Sequence, residues 1–104
     1  MDLLKMKEAM AQATKMKEQM ERSMAETFVD ASSGGGMVTV RMNGQKIIQK
    51  LTIDPTVITG NGPSELEMLE DLITAAVNEA ARKADDAMKS NVQGLLGGLN
   101  IPGL

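Results

Sequence analysis

Apolar residues recur at steps of three and four through residues 2–26, "DLLKMKEAMAQATKMKEQMERSMAE". Leu3, Met6, Met10, Ala13, Met16, Met20 and Met24 carry the pattern, which places them on one stripe of a helix. The segment has no glycine, no proline and no run of β-branched residues. The pairs Lys15/Glu18, Lys17/Glu21, Glu18/Arg22 and Arg22/Glu26 predict small helix-supporting contributions of about 0.2–0.5 kcal/mol each. A helix of this length extends roughly 37 Å, too long for the rest of so small a chain to cover. The stripe therefore predicts a partner.

From Thr27 the period shortens to two. "TFVDAS" predicts a first strand over about 27–32, and "SGGG" a sharp reversal, because glycine adopts positive φ without steric cost. Val38, Val40 and Met42 then alternate with Thr39 and Arg41, a half-buried strand over about 37–43. Asn43-Gly44 predicts a tight turn into a third strand, about 46–53. There Ile47, Leu51 and Ile53 share one face, and Lys46, Ile48, Lys50 and Thr52 the other. Asp54-Pro55 ends the strand. After a linker, "TGNGPS", Ser64 and Glu67 fit a capping box opening a helix over 64–90. Its apolar side, Leu66, Leu69, Ile73, Ala76, Val77, Ala80 and Ala84, narrows to alanine and suits close packing. Residues 91–104, ending "GLLGGLNIPGL", are expected to form a glycine-rich, flexible tail after a single domain spanning 1–90. The expected fold class is α+β: an α-β-β-β-α subunit with a three-stranded antiparallel sheet flanked by two long helices.

Composition narrows the chemistry. The 104 residues include no histidine and no cysteine, which removes His/Cys zinc sites, cysteine nucleophiles, Ser-His triads and disulfides. Ten methionines supply much of the apolar bulk, against one aromatic residue, Phe28. Flexible thioethers suit helix–helix contact better than a rigid pocket. Glu65, Glu67, Glu70 and Asp71 crowd the early second helix, where the dipole favours anions without any metal. Asp85-Asp86 reads as a solvated face. The "GGG" at 34–36 precedes a strand rather than a helix, unlike a phosphate loop. No catalytic residue, metal site, cofactor or small-molecule substrate is expected. No run of eighteen apolar residues exists, so no membrane insertion is expected. "MDLLKMKEAM" lacks the apolar core of a signal peptide, and a cytoplasmic location is expected.

The net charge of −3 hides an asymmetry: residues 1–50 sum to +2 and residues 51–104 to −5. That balance argues against strong whole-molecule attraction to nucleic acid, while allowing a local basic surface. The residues alone lead to a small dimeric interaction protein whose hairpin and methionine stripe meet a second copy. Met6, Met10, Met16, Met20, Met24, Val38, Val40 and Met42 are the expected dimer interface.

The ordered series "SGGGMVTVRMNG", "IDP" at 53–55, "EMLEDLITAAVNEAARKA" at 67–84 and a terminal "GGLNIPGL" resembles the YbaB/EbfC family of bacterial nucleoid-associated proteins over nearly the whole chain. The resemblance implies an intertwined, tweezer-like homodimer whose helices project as arms. It also implies binding of double-stranded DNA that alters DNA conformation and contributes to nucleoid organisation and gene regulation. Family sequences tend to carry lysine at the place of Thr39; here the cation is Arg41, on the same sheet face. A basic pair often precedes Ile-Asp-Pro; here Gln49-Lys50 stands there, while Arg82-Lys83 keeps the pair in the last helix. The DNA contacts this implies are Lys5, Lys7, Lys15, Lys17, Arg22, Arg82, Lys83 and Lys89, with Arg41, Lys46 and Lys50 as additional contacts. The alternative is a protein–protein adaptor, for example in protein targeting, gripping its partner with the methionine-rich helix and arms.

Overall fold

The computed structural model describes residues 2–57 and 63–98. The order is α1 (Leu3–Glu26), β1 (Phe28–Ser33), β2 (Val38–Asn43), β3 (Ile48–Ile53), a 3-10 turn (Pro55–Val57) and α2 (Pro63–Gly98). The α-β-β-β-α order is thus the expected one, with boundaries that differ in instructive ways. Asp2 caps α1, its carboxylate accepting the Leu4 amide at 3.3 Å, where an anion also complements the helix dipole. Thr27, expected in the first strand, instead closes α1: its hydroxyl donates to the Ser23 carbonyl at 2.6 Å.

The sheet runs β1-β2-β3, antiparallel throughout. Gly34, Gly35 and Gly36 all have positive φ, at 61°, 68° and 96°, so the triple glycine is the reversal between β1 and β2. Just before it, the Ser33 hydroxyl donates to the Leu72 carbonyl of α2 at 2.6 Å, tying the hairpin to the helix.

The second reversal opens with the tight turn expected at Asn43-Gly44, closed by the Lys46 amide donating to the Asn43 carbonyl at 3.0 Å. It spans residues 44–47, and the positive φ falls on Lys46, at 64°. Asn43 is almost fully buried, and its side-chain oxygen accepts the amides of Gln45 and Ile47, each at 3.0 Å. Gly44 is required for close approach: its amide donates to the Met24 carbonyl at 2.8 Å. A Cβ there would stand 2.9 Å from that carbonyl and 2.8 Å from the Met88 sulfur. The dipeptide therefore docks the end of α1.

A register shift between Arg41 and Met42 pairs Arg41 with Lys50 but Met42 with Ile48, leaving Gln49 as an extra residue. This bulge puts Ile48, rather than the expected Ile47, on the face of Leu51 and Ile53.

α2 begins at Pro63, a residue favoured at the first helical position because its missing N–H has no partner to lose. Ser64 therefore lies inside the first turn and does not cap it. The helix continues to Gly98, eight residues past the expected end. Adding a residue to an existing helix needs far less than nucleating one, so scattered glycines costing about 1 kcal/mol each do not stop it. Residues 91–98 are thus helical, and the rest of the expected tail lies outside the described residues.

The core is a two-layer contact. Val38, Val40 and Met42 of β2 and Ala31 of β1 pack against Ala76, Ala80 and Ala84 of α2, and small side chains on the helix let its backbone approach the sheet. Burying a valine contributes about 1.5–3 kcal/mol, so this layer dominates subunit stability. Val38 and Val40 are 0% exposed. They and Met42, expected at the dimer interface, are instead the subunit's own core. β3 stays uncovered, with Ile48 and Leu51 exposed. Helix α1 buries no residue at all and meets the body only at its last turn. The radius of gyration, 20.4 Å, far exceeds the ~13 Å of a compact chain this size.

Candidate nucleic-acid interface and association surface

Projection of α1 leaves two surfaces open at once. Met6, Met10, Met16 and Met20 are between 47% and 70% exposed, with Leu3 beside them; Met24, at the docked end, is half-buried. By the 3.6-residue helical period, Lys15 and Arg22 stand opposite this stripe and Lys5 and Lys7 flank it. Lys17 falls on the stripe itself, among the exposed methionines.

The cations separate into free and held groups. Among the described residues, no carboxylate lies within ion-pair distance of Lys5, Lys7, Lys15, Lys17, Arg22, Lys50 or Lys89. The helix-supporting pairs expected on α1 therefore do not close; long exposed side chains gain too little in water to offset their lost freedom. The other expected DNA contacts are engaged. Arg82 binds Glu79 through its Nε at 3.1 Å. The Lys83 ammonium donates to the Asp30 carbonyl at 2.8 Å. Lys46 pairs with Asp85 at 3.0 Å across the turn that carries its positive φ. Arg41 forks onto both oxygens of Asp30, at 3.1 and 3.3 Å, and lies 5.7 Å from the Phe28 ring centre. The hydrogen bond from Arg41 holds the Asp30 carboxyl below its ordinary range, and that from Arg82 does the same for Glu79. Held cations keep their charge but must release a carboxylate or, for Lys83, a backbone carbonyl to grip a phosphate.

Ile47 in the turn before β3 and Leu66 and Met68 on α2 are exposed apolar side chains, as are Ile48 and Leu51, which the bulge brings to one face of β3. Sequence reading underrated this patch, because the bulge that aligns Ile48 with Leu51 leaves no mark on the alternation. Among the described residues no group of three metal-ligating side chains converges. Among the same residues no helix is long and apolar enough to cross a membrane.

This arrangement, a thin sheet-and-helix body with one uncovered helical arm, has counterparts. The sequence profile of the YbaB/EbfC DNA-binding family matches residues 1–99. The chain belongs to that family. A nucleoid-associated protein of Acidobacterium capsulatum is 55% identical over 105 residues, covering 98% of this chain and 96% of the relative. One from Koribacter versatilis is 48% identical, covering 92% of both. The crystal structure of an uncharacterized protein from Helicobacter pylori superposes with a TM-score of 0.72 at 24% identity, over 92% of this chain and 98% of that one. Membership in YbaB/EbfC is what the motifs from "SGGGMVTVRMNG" to "EAARKA" implied.

Proposed function

We propose that this YbaB/EbfC chain associates as a homodimer and binds double-stranded DNA mainly through phosphates, in the cytoplasm at the nucleoid. Bound along DNA it changes duplex conformation and so contributes to nucleoid organisation and gene regulation. One observation carries the reading: α1 projects with an apolar stripe on one face and unpaired cations on the others. A second copy is the natural cover for the stripe, since the chain offers a complementary exposed patch on β3 that its own α1 does not reach. Covering methionines this way leaves Lys5, Lys7, Lys15 and Arg22 outside the seam, and pairs of arms bring cations from both copies to one polyanion. Among the described residues there is no aromatic or arginine-rich element fit to read base edges, so affinity follows phosphate contact.

Gel-shift titration over salt tests this. Binding is expected to weaken with a log–log slope near −0.9 for each phosphate contact, and Lys15→Glu with Arg22→Glu abolishes the shift. Salt-insensitive binding would exclude the phosphate mechanism, and no binding in dilute buffer would exclude the function. The acidic balance of residues 51–104 favours a protein-adaptor role as the second reading. In that case the same double variant leaves capture of the protein partner intact.

A further inference from the structure

We infer that the methionine stripe of α1 is an oxidative modification site whose chemistry controls association; this rests on the homodimer reading above. The chain has ten methionines and no cysteine, histidine, tryptophan or tyrosine. Thioethers are thus the side chains through which a two-electron oxidant such as a peroxide acts on it. The fold sorts them. Met42 is sealed in the core, and Met24 and Met88 are partly buried around Gly44. Met6, Met10, Met16 and Met20 are the four most exposed among the described residues, all on one helix face.

In the reaction the sulfur lone pair takes one peroxide oxygen. The O–O bond breaks, an S–O bond forms, and the second oxygen leaves as water; sulfur loses two electrons and the peroxide gains them. The product is a polar sulfoxide. Each one buried in an apolar seam without a donor weakens association roughly tenfold. Association in turn shields the sulfurs, so the lone subunit is the reactive species and oxidation traps it.

The experiment treats purified full-length protein with hydrogen peroxide, maps added oxygen by peptide mass spectrometry, and measures mass by light scattering before and after. Oxygen is expected first on Met6, Met10, Met16 and Met20, more slowly at high protein concentration. The associated form should fall to subunits, and methionine sulfoxide reductase with dithiothreitol should restore it. A variant with all four changed to leucine keeps the apolar stripe and stays associated after peroxide; circular dichroism confirms that its helices persist. Oxidised protein that associates as well as reduced protein overturns the inference alone, as does a leucine variant that still dissociates. Reduced protein that is a lone subunit at every concentration overturns the dimer reading itself.

Discussion

Helix α2 seats Ala76, Ala80 and Ala84 flush on β1 and β2, whereas α1, with methionines at similar steps, touches its own chain only through its last turn. Both helices are amphipathic, yet one stripe is satisfied within the subunit and the other is not. The difference lies in side-chain size and in how each helix is joined to the sheet. Alanines let α2 settle close to the sheet, and the Ser33–Leu72 hydrogen bond fixes it there. α1 leaves through Thr27 in extended conformation and is pinned only where Gly44 admits Met24. Periodicity thus announces that a helix face needs cover without saying which chain supplies it.

Substitution in each stripe should break the comparison most sharply. Ala80→Leu forces bulk between α2 and β2 and should lower subunit stability by about 3 kcal/mol, measured by urea unfolding. Met10→Ala should change the stability of dilute subunits by less than ~0.5 kcal/mol while weakening association. Equal losses from the two would mean that α1 is part of the subunit core. At the junction, Asn43→Ala removes the acceptor of the Gln45 and Ile47 amides and, at about 1 kcal/mol for each lost hydrogen bond, should cost about 2 kcal/mol. Gly35→Ala meets no atom within 4 Å but must hold a φ of 68°, so a smaller loss of about 1 kcal/mol is expected from backbone strain alone.

The smallest effect is electrostatic. Asp30 and Glu79 have lowered carboxyl pKa values, chiefly through hydrogen bonds from Arg41 and Arg82. A carboxylate whose folded pKa lies below its unfolded one stabilises the fold above the ordinary carboxylate range, and that contribution disappears as pH falls through the folded value. Both groups are exposed, so acid titration of unfolding should show only a shallow decline. Arg41→Gln should shallow it further.

Much of this was legible in the residues. The heptad-like methionines gave α1, the glycine triplet the first reversal, and the Ala76–Ala80–Ala84 ladder the close packing of α2. What was misread depended on distant contacts. Val38, Val40 and Met42 alternate as any half-buried strand does, and only the placement of α2 decides whether helix or second copy covers them. The bulge at Gln49 is set by pairing with Arg41 and Met42 and has no local marker. The role of Gly44 depends on Met24 and Met88, twenty and forty-four residues away. For the cations, charge counting treats Lys83 and Lys15 alike; the fold occupies one and leaves the other free.

Light scattering of the purified chain across a dilution series tests most directly whether α1 finds its cover on a second copy. Twice the subunit mass is expected at high concentration, giving way to single subunits on dilution, and Met10→Glu should move that transition to much higher concentration. A chain that stays at one subunit mass throughout, with both helices intact, would contradict it.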